Sequence, residues 1–276
     1  MRIKSFSKLN LTLRVLNKLK NGMHNIETYS TLVNIFDEIN IKKNIKDKII
    51  FTGKFRSKIN EKKNTIKDTL KILRKNKAIN SFYRVSIKKN IPVFAGLGGG
   101  TSNAVSIAKY LLKNKINKRL IKELEKKIGS DFKLFLHNNS FQKNLNTVLK
   151  VKNKLQLPII ILFPYIDCKT KDIYKKVNSF SLSSGNPFVN KVNQDKFIKN
   201  IQTDRNDLQK IVEKKYFKIS SLIKSIDKQK GCVFSRMTGS GSSCYGVFKS
   251  KKTAKIAMNS LKRKYPNYWC VITKTI

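Results

Sequence analysis

The sequence predicts an α+β protein of two domains, and three observations carry that prediction. Around residues 82–112 a strand, a glycine-rich loop and a helix follow one another. Near residue 150 the character changes, and Pro158-Ile159-Ile160-Ile161-Leu162-Phe163-Pro164 reads as a buried strand opening a second domain. The chain then closes on strands at 232–236 and 244–248, a helix at 252–264 and a strand at Trp269–Thr273. That β-β-α-β order is of ferredoxin-like type. One domain is therefore expected over 1–152 and another over 153–276, and 276 residues suffice to give each a core.

Composition narrows the class. At 40% hydrophobic and 9% aromatic the chain is globular, but Lys+Arg 60 against Asp+Glu 16 gives a net charge of +44. Such a field attracts nucleic acid or anionic membrane, and equally steers anionic small substrates inward. The lysines are scattered along the whole chain, which fits a general over-use of Lys, Asn and Ile better than a dedicated nucleic-acid surface. Cys168, Cys232, Cys244 and Cys270 form no C-x-x-C pair, and with only His24 and His137 beside them no zinc site can be argued. No run approaches the ~20 apolar residues of a membrane span, and the N-terminus has no secretory h-region. A cytoplasmic protein with reduced thiols is expected.

The elements follow in order. Residues 1–16 alternate as one strand through Phe6, Leu9, Leu11, Leu13 and Val15, which puts Lys8 and Asn10 on one face. Ile49-Ile50-Phe51 centres a strand within 47–56. Asn64-Thr65-Ile66 opens a helix through Leu70, Ile72 and Leu73, and Phe82–Ile87 alternates as the next strand. Ala104, Val105, Ala108, Leu111 and Leu112 then recur at helical spacing, with Thr101 or Ser102 placed to cap the first turn. Asn117 caps a short amphipathic helix that Gly129 ends, and Asp131 stands two residues beyond, flanked by apolar residues. Ser179 to Gln194 reads as a long loop, and Arg205-Asn206-Asp207-Leu208 starts a helix with Asp207 at the cap.

The stretch Pro92-Val93-Phe94-Ala95-Gly96-Leu97-Gly98-Gly99-Gly100-Thr101-Ser102 organises the rest. It holds four of the 12 glycines, between a strand and a helix N-terminus. Glycines allow close backbone approach and inward N–H groups, and the helix dipole adds partial positive charge, so a phosphate chain is the expected occupant. The Walker A pattern fails for want of a lysine, and the dinucleotide fingerprint fails at Thr101. A second cluster, Thr238-Gly239-Ser240-Gly241-Ser242, joins the strands at 232–236 and 244–248.

Pro92 to Ser102 resembles, over its full length, the phosphate loop of the GHMP kinases, which phosphorylate small alcohols. Met237–Ser242 resembles that family's third motif. Four further matches point to its cytidyl branch. Lys8-Leu9-Asn10-Leu11 resembles the Ala-Lys-Ile-Asn-Leu opening, and Gly22-Met23-His24 resembles Gly-Tyr-His. Gly129-Ser130-Asp131 resembles Gly-Ala-Asp, and Thr170 with Tyr174 resembles a Thr-x-x-x-Tyr/Phe element. The resemblance covers most of the chain, in the right order. Its departures are Met23 in place of an aromatic, Lys133 in place of a proline, and a Gln142–Lys150 segment without the expected glycines.

The resemblance implies a ribosomal-S5-domain-2-like N-terminal domain and a ferredoxin-like C-terminal one. It implies ATP-dependent phosphorylation of the 2-hydroxyl of 4-diphosphocytidyl-2-C-methyl-D-erythritol, with Lys8 and Asp131 as catalytic groups. ATP would lie on Pro92–Ser102, Asn64, Gly239, Ser240 and Gly241. The cytidyl substrate would meet Asn10, Met23, His24, Thr170 and Tyr174. Mg²⁺ would be carried mainly by the ATP phosphates, with Ser102 as its protein ligand. The expected partner is that small molecule alone, without dedicated nucleic acid or membrane, on a monomer or homodimer. A kinase for another alcohol, of homoserine or mevalonate type, and a basic nucleic-acid-binding protein are the alternatives.

Overall fold

In the computed structural model of the chain, which describes residues 2–60, 64–152, 156–185 and 193–276, the first strand ends sooner than the sequence implies. β1 (Arg2–Asn10) stops, and β2 (Arg14–Lys18) resumes after a break. The cause is a change of partner: Leu11 N–H donates to the Tyr29 carbonyl (2.8 Å), and Leu13 N–H donates to that of Arg205 (2.9 Å). The single strand expected over 1–16 is thus two.

The next element escaped the sequence reading altogether. β3 (His24–Asn44) runs for 21 residues. Its first half, Ile26–Val33, is buried on both faces and so shows no alternation, whereas Ile35, Asp37, Ile39 and Ile41 bury alternately in the second half. β4 (Lys48–Thr52), α1 (Thr65–Lys75), β5 (Phe82–Lys88), α2 (Gly99–Leu111) and α3 (Lys118–Ile128) follow. A 3-10 helix, Ser130–Leu136, leads to the hairpin β6 (Asn139–Gln142) and β7 (Val148–Lys150). Then come β8 (Pro158–Phe163), a short α4 (Thr170–Tyr174), α5 (Gln194–Thr203), α6 (Asp207–Lys215) and α7 (Phe217–Asp227). The chain closes with β9 (Cys232–Met237), β10 (Cys244–Phe248), α8 (Lys251–Lys264) and β11 (Trp269–Lys274).

The residues sort into two compact units, neither contiguous in sequence. One comprises Met1–Lys8, Ile35–Val93 and Gly98–His137, the other Leu9–Asn34, Phe94–Leu97 and Asn138–Ile276. The chain crosses between them inside β1, inside β3 and inside the glycine stretch. The boundary expected at 152/153 abuts residues 153–155, and part of the loop expected over 179–194 falls on 186–192, all outside the described residues.

In the first unit the second half of β3 pairs antiparallel with β5 (Glu38 opposite Lys88), and β5 pairs parallel with β4. α1 packs on α2 and α3, burying Ile66, Leu70 and Leu73 from α1 with Ala104, Val105, Leu120 and Leu124. In the second unit β2 and β6 pair with the first half of β3, and β8–β11 form a separate sheet. Its order, β11-β8-β10-β9, with every pair antiparallel, is the ferredoxin-like arrangement the chain end predicted. α6, α7 and α8 cover it through Leu208, Val212, Ile219, Leu222, Ile226 and Leu261.

One cap differs from expectation. Asn206, not Asp207, caps α6, its side chain accepting from Leu208 N–H while its amide donates to the carbonyls of Met237 and Gly239 (2.9 Å each). An amide can accept and donate at once, which a carboxylate cannot. Asp207 instead takes the Val15 N–H (2.7 Å) and the Ser181 hydroxyl (2.6 Å).

Buried in the first unit is an ion pair between Asp37 and Lys89. The other Asp37 oxygen accepts the N–H groups of Asn90 (2.7 Å) and Ile91 (2.9 Å), so one carboxylate fixes the segment that leads into the glycine stretch. Removing one charge of a fully buried pair leaves the other uncompensated, at a cost of about 3–5 kcal/mol. Asp37→Asn is expected to lose stability of that order in urea unfolding, and the Asp37→Asn/Lys89→Met double variant to lose clearly less than the sum of the single changes.

Candidate active site

The first unit brings together three features that the sequence places far apart. Lys8, near the end of β1, is buried, with its side chain 3% exposed. Its ammonium lies 3.0 Å from Asp131 Oδ2, on the 3-10 helix, where the carboxylate is 37% exposed. Gly98 turns the glycine stretch into α2 at φ +68°, and a Cβ there would lie 2.6 Å from Phe135 Cζ and 3.4 Å from Lys8 Cγ. Only glycine fits that turn. The carboxylate, the cation and the helix N-terminus are thereby fastened to one another.

The helix begins earlier than expected. Gly98 is its N-cap, with no side-chain cap, so Thr101 and Ser102 lie inside the first turn and neither caps it. The Ser102 hydroxyl turns away to donate to the Phe6 carbonyl (2.5 Å) and also meets Ser5 Oγ (2.7 Å). The leading N–H groups, from Gly99 to Thr101, have no intrahelical acceptor, as at any helix start, and Gly100 is exposed. Asn64 caps α1 by accepting from Ile66 and Lys67 N–H (3.1 Å each). Thr65 Oγ1 ties that cap to the Gly100 carbonyl at 3.0 Å. Two helix N-termini are thus joined, and the field at the second favours an anion.

Of the two lysines that hold the 3-10 helix, sequence reasoning noted Lys133 only as a departure and passed over Lys109. Lys109 donates to the carbonyls of Phe135 (3.2 Å) and Leu136 (2.9 Å), and burial pushes its ammonium below the usual lysine range. Lys133, in the proline's place, is 2.7 Å from Glu125. An ion pair does here the fixing that a ring constraint would do. The only sequence signal for Lys109 was its position on α2, and nothing in a lysine-rich chain marked it out.

The second unit holds the other expected residues. Pro92 and Val93 lead into its segment Phe94–Leu97, where Ala95 and Leu97 are buried. Phe94 is 56% exposed at φ +58°, a conformation that strains a bulky side chain. At Gly96 (φ +76°) a Cβ would sit 2.5 Å from the Thr238 carbonyl oxygen and 3.0 Å from that of Gly241. Ser243 N–H also donates to the Ala95 carbonyl (3.2 Å), so the two glycine clusters pack backbone to backbone. Asn10, ending β1, donates its N–H to Thr238 Oγ1 (3.0 Å) and its amide to Thr28 Oγ1 (2.9 Å). The hydroxyls of Thr170 and Ser240 meet at 2.9 Å.

His24 and Tyr174 come together as expected, ring centroids 5.2 Å apart at 34°. His24 Nε2 is buried with no partner among the described residues, and an unpaired buried nitrogen asks for a ligand. Burial and the nearby Lys18 push the imidazole below its usual range, so at neutral pH it offers one donor and one acceptor. Met23 beside it is 45% exposed. The segment without the expected glycines is the β6–β7 hairpin, whose turn is closed by Asn144 Oδ1 accepting from Asn146 (2.9 Å) and Thr147 (2.8 Å) N–H.

The residues 64–139 match the family model described as the GHMP kinases N terminal domain, and 193–267 match that of the GHMP kinases C terminal. The chain is 38% identical, over 100% of its length and 99% of the relative, to the 4-diphosphocytidyl-2-C-methyl-D-erythritol kinase of Pelagibacter ubique. It is 29% identical to the protein of the same name from a Wolbachia of Drosophila simulans, over 99% and 98% of the two chains. Among solved structures it is similar to a 4-(cytidine 5'-diphospho)-2C-methyl-D-erythritol kinase, with a TM-score of 0.78 and 19% identity over 99% of each chain. It also resembles a homoserine kinase from Cytophaga hutchinsonii (TM-score 0.74, 17% identity, 100% and 94% covered), a likeness of fold alone. With both halves matched and a full-length relative at 38% identity, the chain belongs to the GHMP kinase family.

Proposed function

We propose that this protein is a 4-diphosphocytidyl-2-C-methyl-D-erythritol kinase, transferring the γ-phosphoryl group of ATP to the 2-hydroxyl of its substrate in the non-mevalonate route to isoprenoid precursors. One contact carries the reaction: the 3.0 Å pair of Lys8 and Asp131 beside the Gly98 turn. The substrate follows from the full-length similarity to enzymes of that name.

In this reading the helix N-terminus at Gly99–Thr101 receives the ATP phosphates, with Pro92 to Ser102, Asn64 and Gly239–Gly241 lining the nucleotide. Asp131 accepts the hydroxyl proton as the oxygen–phosphorus bond forms and the bond to the β,γ-bridging oxygen breaks, releasing ADP. Lys8 stands beside the carboxylate and offsets the negative charge that gathers on the transferred group. His24, Met23 and Tyr174 hold the cytosine, Asn10 and Thr170 the remainder of the substrate. The Ser102 hydroxyl does not fit as a cation ligand, because it is 2% exposed, gives its proton to the Phe6 carbonyl and meets Ser5 Oγ on its other side. Mg²⁺ would instead be held by the ATP phosphates, where it would supply charge neutralisation.

No helix among the described residues is long and apolar enough to cross a membrane. All four cysteines are free thiols, and burial pushes Cys168 and Cys270 to about 11 and Cys232 to about 12. Such thiols suit the reducing cytoplasm, where we place the enzyme. The +44 charge favours the meeting of two anionic substrates.

An ADP-release assay with the cytidyl substrate, beside homoserine and mevalonate, tests this reading. Turnover is expected with the cytidyl substrate alone; turnover only with another alcohol overturns it. Asp131→Asn is expected to lower kcat by roughly 10²–10⁴-fold with little change in the KM for ATP, and Lys8→Met to lower kcat as well. Gly98→Ala forces a Cβ against Phe135 in a left-handed conformation, at about 1–3 kcal/mol. Thermal melting should report that loss and steady-state kinetics a raised KM for ATP; a variant unchanged in both would remove the loop from the site.

A further inference from the structure

The expected cytosine slot has one aromatic wall, Tyr174, and a methionine where the second should stand. We propose that Phe180 supplies the missing face, and that the segment carrying it is built to hold it there. The inference rests on the cytidyl-kinase reading above.

Residues 181–184 belong to no helix or strand, yet nearly every one is fastened. Ser181 N–H donates to the Val15 carbonyl (2.8 Å), and its hydroxyl donates to Asp207 (2.6 Å) and accepts from Arg205 (3.0 Å). Arg14 donates to the Leu182 carbonyl (3.0 Å). Glu27 is buried on β3, three residues from His24, and commits both carboxylate oxygens, to the Ser183 hydroxyl (2.6 Å) and the Ser184 N–H (2.9 Å). Burying a carboxylate is costly unless its oxygens are well bonded, and here the bonds go to an irregular strap. Such fastening fixes where the neighbouring side chain stands.

That side chain is Phe180, 50% exposed. A large aromatic left in water at the head of a rigid strap gains nothing for the fold. Its ring lies 6.5 Å from that of His24, at 38°, while Tyr174 lies 5.2 Å from the same imidazole. Two aromatic rings therefore lie near the one histidine whose Nε2 has no partner among the described residues. Flat faces and one unsatisfied ring nitrogen are what a pyrimidine base needs: stacking for affinity, a hydrogen bond for identity. Met23, exposed and flexible, covers a base less well than a fixed ring.

The test is CDP binding by titration calorimetry on the full-length protein, with melting temperature as a check on folding. Base–aromatic stacking is of a size that Phe180→Ala should weaken CDP by roughly 5- to 100-fold. The KM for ATP and the melting point should stay near wild type, and Phe180→Trp should restore binding. Phe180→Ala binding CDP as tightly as wild type overturns the proposal. So does a Phe180→Trp variant as weak as the alanine one, since a structural defect would not be rescued by another stacking ring. A wild-type protein that turns over a different alcohol and ignores CDP would overturn the cytidyl reading itself, before Phe180 is in question.

Discussion

The Lys8 side chain is 3% exposed, and its ammonium lies 3.0 Å from the Asp131 carboxylate, since a charge taken out of water is costly unless it is paired. That single requirement links β1 to a 3-10 helix more than a hundred residues later. The same helix presents Phe135 to Gly98, so the turn of the glycine stretch is set by the element that carries the carboxylate. Lys109 and Lys133, fixed to carbonyls and to Glu125, hold that helix as well. A catalytic geometry good to a few tenths of an ångström calls for this kind of support, because phosphoryl transfer depends on position and electrostatics more than on covalent chemistry.

The second unit solves a different problem. In the proposed function it has to present polar groups to a base without letting the fold consume them. β3 is buried on both faces where it carries Glu27 and Thr28, and these side chains are spent on the Ser183–Ser184 strap and on Asn10. His24, at the strand's start, is left with an open nitrogen and two aromatic rings nearby. A side chain spent on the fold and one proposed for binding thus stand on one strand, three residues apart.

Much of this was legible in the sequence. The glycine stretch, taken in order with Lys8, His24 and Asp131, located the family, and its place between a strand and a helix start was legible because glycine density there has few other uses. The ferredoxin-like end was legible because its strands and helix are local and strongly patterned. Caps were read less well. Ser102 and Asp207 were plausible caps, but each was drawn to a distant partner, Phe6 in one case and Val15 in the other. The first half of β3 was missed because burial on both faces erases alternation; its second half does alternate and was legible but passed over.

By itself, then, the sequence determined the family, through its motifs and the order in which they come, and named the residues proposed to carry the chemistry. Local spacing encodes turns, helix starts and short strands, since these depend on neighbours a few positions away. Only the tertiary structure decided what stands beside what: Lys8 on Asp131, Gly96 against Thr238, and Phe180 beside His24. It also turned an unremarkable lysine, Lys109, into a fixed support. Those pairings arise from long-range burial and from the demand that buried polar groups find partners, and neither is written in the spacing of residues along the chain.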